Sequence, residues 1–80
     1  MNFLKICSDM TLQELNIGDR FIHANVKDKR KAVKWMVAKD CEFNHGHGYS
    51  TRWCRNLSTG EADSKSCRLE VLKLPLYSNL

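Results

Sequence analysis

Eighty residues, 42% hydrophobic and 28% charged, make one small globular domain spanning 1–80 and exclude disordered or fibrous composition. One proline and four glycines leave no room for a flexible linker, and no apolar run approaches the roughly 18 residues of a membrane span. The formal net charge of +4 sits in the middle of the chain: residues 27–55 hold eight basic and three acidic side chains, against two and three before them and three and three after.

The opening MNFLKICSDM is too polar and its apolar run too short for a signal peptide. A cytoplasmic protein without membrane contact is therefore expected, with its four cysteines mostly reduced. In SDMTLQELNIGDRF, Asp9 or Thr11 caps a short helical turn, and Glu14 completes a capping box with Thr11. Leu12 and Leu15 give the turn an apolar face and Gly18 ends it. DRFIHANV follows as a strand with Phe21 and His23 on one face.

KDKRK is a charged turn. AVKWMVAKDCEF then alternates Val33, Trp35, Val37, Cys41 and Phe43 with Lys34, Asp40 and Glu42, the pattern of one long half-buried strand. The competing reading is a basic amphipathic helix over about 28–39, capped by Asp28 and running through Ala32, Val33, Met36 and Val37. FNHGHGYS is a hairpin loop whose asparagine and glycines supply positive-φ positions. STRWCRNL makes the next strand, with Thr51, Trp53 and Leu57 on one face and Arg52 and Cys54 on the other; both tryptophans, Trp35 and Trp53, are expected in the core. STGE turns at Gly60. SKSCRLEVLKL closes the sheet with Cys67, Leu69 and Val71 inward, Pro75 stops it, and 75–80 is a frayed tail.

These elements predict a mainly β protein: a small SH3-like antiparallel barrel or a bent sheet of four to five strands, with one short N-terminal helical turn. The stretch LQELNIGDRF resembles the lead-in to the first strand of many small SH3-like barrels. The resemblance covers about ten residues and implies a fold but no activity.

Three chemistries compete for the segment CEFNHGHGYSTRWC. Cys41, His45, His47 and Cys54 are competent zinc ligands. Cys41 and His45 could form one knuckle, but His47 and Cys54 are too far apart to form the other, unless Cys7 or Cys67 substitutes. The simpler expectation is that Cys41, Cys54 and Cys67 are small buried hydrophobes and that there is no cofactor. For catalysis, Cys54 lies between Arg52 and Arg55, but no serine elbow or paired carboxylates accompany it, and HGHG lacks the lysine and context of a phosphate loop. No enzyme is expected.

The binding reading takes the basic cluster Lys27, Lys29, Arg30, Lys31 and Lys34, together with His45, His47 and Tyr49 in the loop and Arg52 and Arg55 on the following strand. Such a combination of cations and aromatics contacts phosphates and stacks bases. The expected function is a non-enzymatic binding module for nucleic acid or a nucleic-acid-handling complex. The alternative is a small inhibitor or adaptor, like accessory proteins of bacteria and phages, that docks on an acidic protein surface. A zinc-stabilised domain is the third reading.

Overall fold

The computed structural model describes residues 10–74. Its first element is the expected turn, a single 3₁₀ turn over Leu12–Glu14. The Glu14 carboxylate accepts from the Thr11 backbone N–H at 3.1 Å and from the Thr11 hydroxyl at 2.9 Å, the glutamate half of the capping box. Gly18 then takes φ +95, a conformation disfavoured for any residue with a Cβ, and its N–H donates to the Val37 carbonyl at 2.9 Å. That bond lays β1 (Arg20–His23) beside β2 (Trp35–Val37).

The other strands are β3 (Glu42–Asn44), β4 (Tyr49–Asn56), β5 (Ala62–Ser66) and β6 (Val71–Leu74). All pairings are antiparallel within one open, bent sheet. The eight-residue β4 is its spine. β5 runs along one edge of β4, while β3 and β2 lie in series along the other; β1 and then β6 complete the sheet beyond β2.

The expected mainly β fold is thus present, with six strands because two anticipated strands each divide. The run from 32 to 43 is interrupted: Trp35–Val37 pair with Cys54–Asn56 and Glu42–Asn44 with Tyr49–Thr51, so the four residues 38–41 stand opposite only Arg52 and Trp53. This bulge turns the Lys39 carbonyl inward, where it accepts from Arg52 Nε at 2.7 Å. The closing run likewise divides at a turn after Ser66, whose carbonyl accepts from the Leu69 N–H at 3.1 Å, and β6 leaves to pair with β1.

The alternative helix over 28–39 does not form. Asp28 uses its carboxylate on the Arg30 N–H at 3.0 Å, closing a local turn, and Trp35–Val37 are strand.

The core under the sheet is Leu12, Leu15, Phe21, Val37, Cys54 and Val71, with Met10, Trp35 and Leu69 packed against it. The 3₁₀ turn is sewn onto the corner between β5 and β6 by the Leu12 N–H to the Leu69 carbonyl and the Gln13 N–H to the Cys67 carbonyl. Ile22 and Leu72, neighbours across β1 and β6, are also buried but stand apart from that cluster. No helix among the described residues is long and apolar enough to cross a membrane. The capping candidate Asp9, Cys7 and the tail 75–80 lie outside the described residues.

Candidate functional site

The basic cluster occupies the loop between β1 and β2. Lys27, Arg30, Lys31 and Lys34 are exposed; Lys29 is half-buried and its Nζ donates to the Val26 carbonyl at 3.0 Å. Among the described residues the ion pairs are Arg52–Asp40, Lys65–Asp63 and Lys73–Asp19, so none of the five loop cations is paired.

The hairpin tip lies at the other end of β4, about 23 Å away at roughly 3.3 Å per strand residue. Asn44 builds the tip. Its side-chain oxygen accepts from the Gly46 N–H at 2.9 Å and the His47 N–H at 3.2 Å, and its carbonyl accepts from the Gly48 N–H at 2.8 Å. The loop displays its rings in pairs. His45 meets Phe43 edge-on at 4.9 Å, and His47 stacks on Tyr49 at 5.3 Å. Phe43 is 54% exposed and Tyr49 48% exposed. They border a groove of about 580 Å³ that Gln13, Ser66, Cys67 and Arg68 close on the far side. The alternation of residues 33–43 puts Phe43 on the buried face, whereas the structure leaves it exposed; Arg68 carries no signal in the sequence that ties it to this groove.

Arg52 requires a correction. It is 4% exposed and points into the core, so it belongs to no binding surface. Its guanidinium donates to the carbonyls of Leu12 at 2.9 Å, Leu15 at 2.7 Å and Lys39 at 2.7 Å. Asp40 stands 3.8 Å away and is itself exposed. From Arg52 to Arg55 the alternation along β4 runs opposite to the expected one, while Thr51 beside Arg52 is buried as well. Cys54 pairs with Val37 in the core, which turns Arg52 inward and leaves Trp53, expected in the core, 39% exposed beside Arg55. Arg55 is exposed and its Nη1 donates to the Gly60 carbonyl at 2.6 Å.

The histidines and cysteines separate. His45 and His47 are at the tip against their aromatic partners, whereas Cys54 and Cys67 are buried. Among the described residues no group of three or more His, Cys, Asp or Glu side chains is arranged to hold a metal ion. Burial pushes the Cys54 thiol up to about 11; burial and a hydrogen bond with Cys41 push Cys67 up to about 12. Both are protonated at neutral pH and correspondingly poor nucleophiles.

At the foot of the basic loop, Trp35 is half-buried with Lys65 Nζ 3.7 Å above its ring and the His23 ring 6.2 Å from it. Val26 and Val33 join His23 and Trp35 around a cavity of about 190 Å³. The sequence puts Trp35 in the core and His23 and Val33 on strand faces; the cavity forms where β1, β2 and the loop between them converge. No family model, curated protein or solved structure matches the chain.

Proposed function

We propose that this chain is a non-enzymatic binding module that contacts nucleic acid, or a nucleic-acid-handling complex, through the basic loop 27–34. One observation carries this reading: five cationic side chains share a single loop, and none has a carboxylate partner among the described residues. Asp28 lies within the loop, but its Oδ1 is engaged by the Arg30 backbone N–H. Unpaired positive charge concentrated in this way attracts a phosphate backbone and releases its counterions. Lysines on a loop position a backbone without reading its sequence. The protonated thiols of Cys54 and Cys67 support the non-enzymatic half of the reading, because neither supplies a thiolate near neutral pH.

The exposed rings of Phe43 and Tyr49 beside Arg68 favour a second reading, an inhibitor or adaptor docking on an acidic protein surface. Salt separates the two. Nucleic-acid affinity should fall steeply, with a log–log slope of about −0.7 to −0.9 per phosphate contacted. A shallow slope, with capture of a protein that survives nuclease treatment of the lysate, would favour the adaptor.

A further inference from the structure

The cavity at the foot of the basic loop is lined by His23, Val26, Val33 and Trp35 and holds about 190 Å³. At about 30 Å³ of liquid volume per water molecule, that space suits one ring system and not an extended chain. Two ammonium groups flank it. Lys29 Nζ is fixed on the Val26 carbonyl at 3.0 Å, and Lys65 Nζ sits 3.7 Å over the Trp35 ring, paired with Asp63 at 3.6 Å. His23 Nε2 is buried and is the one such side-chain atom without a hydrogen-bond partner among the described residues.

We infer that this cavity receives one unpaired base of a single-stranded nucleic acid. Its ring lies against Trp35 and Val33, its polar edge meets His23, and a flanking phosphate meets Lys29. The inference rests on the nucleic-acid reading above and narrows it to single strands. An aliphatic side chain from a protein partner would fill the space but leave His23 Nε2 unpartnered and bring no negative charge to the Lys29 ammonium, which has no carboxylate partner among the described residues. A base edge carries both donors and acceptors, so it satisfies the imidazole in either tautomer. A base inside a duplex is stacked and paired and cannot enter such a site without being extruded.

The test uses the full chain carrying Trp53→Phe, which leaves Trp35 as its single tryptophan. It is titrated with an oligothymidylate strand, with that strand annealed to its complement, and with a glutamate-rich peptide. The single strand should quench Trp35 fluorescence and bind more tightly than the duplex. Val33→Phe, at a position 45% exposed, should fill the cavity and weaken single-strand binding at least about fivefold. If circular dichroism shows that Val33→Phe disturbs the fold, the Trp35 response in the Trp53→Phe chain decides alone. Single-strand binding that leaves Trp35 fluorescence unchanged would overturn the cavity assignment and leave the nucleic-acid reading standing. Quenching by the peptide, with no binding of either nucleic acid, would overturn both.

Discussion

Arg52 shows how far a side chain's role can depart from its residue type. Between Thr51 and Trp53, and close to Arg55, it reads as part of a basic, aromatic surface. What turns it inward is the parity of β4 against β2, and what keeps it there is three carbonyls from residues 12, 15 and 39. None of these partners is within ten positions of it, so local pattern could not reveal the site. Arg52→Met should therefore cost about 3–5 kcal/mol in chemical denaturation, because buried acceptors lose their charged donor. Arg55→Ala, at an exposed site, should stay within about 0.5 kcal/mol. Equal, small effects would return Arg52 to the surface. His23 supplies a pH dependence at the same scale. Burial holds its pKa below the ordinary 6.5; the Lys65 ammonium adds to that and Asp63 opposes it. The unfolded chain therefore takes up this proton first as pH falls, so the His23 contribution to stability is full above 6.5 and is lost on acidification toward the lower folded value. Between pH 7 and 5 the melting temperature of the wild type should drop more than that of His23→Phe; parallel curves would remove His23 as the cause.

Elements whose boundaries depend on local chemistry were legible: the Thr11/Glu14 turn, the break at Gly18, the hairpin at FNHGHGYS and the strand that follows it. Elements whose boundaries depend on a distant partner were not. The alternation of Val33, Trp35, Val37, Cys41 and Phe43 continues through a segment where the strand in fact bulges, because the Lys39 carbonyl is required by Arg52. The spacing of Cys67, Leu69 and Val71 likewise hides the turn that transfers the chain from one edge of the sheet to the other. The hairpin provides a test of the local half of this account. Gly48 takes φ +84 with open space where a Cβ would be placed, so an added methyl meets backbone strain and no steric clash. Gly48→Ala should cost about 1–2 kcal/mol. A variant as stable as the wild type would mean that the loop relaxes to another turn, and the His47–Tyr49 stack should then be lost from nuclear Overhauser contacts.

Across the whole molecule the expected binding residues divide into two groups at opposite ends of β4, with Arg52 removed from both. Composition announced the excess charge, but only the sheet topology shows that the cationic loop and the aromatic tip are separate surfaces. They can therefore be altered independently. Lys27, Arg30 and Lys31 are the loop cations to change, because all three are exposed, whereas Lys29 is tied to the Val26 carbonyl. Replacing these three with glutamate moves the formal net charge from +4 to −2, each substitution contributing −2. Each should perturb stability by no more than about 0.5 kcal/mol, so the melting temperature should change little. If the loop contacts phosphates, each cation removed lowers the magnitude of the salt slope by about one unit. Affinity for nucleic acid at low salt should collapse by orders of magnitude, since three attractive charges become repulsive. The tip, about 23 Å distant and beyond a Debye length of about 8 Å at physiological ionic strength, should keep its ring stacking and its groove. A folded triple variant that binds nucleic acid with unchanged affinity and salt slope would reduce the loop to solubilising charge. Phe43, Tyr49 and Arg68 would then be the surface to mutate next.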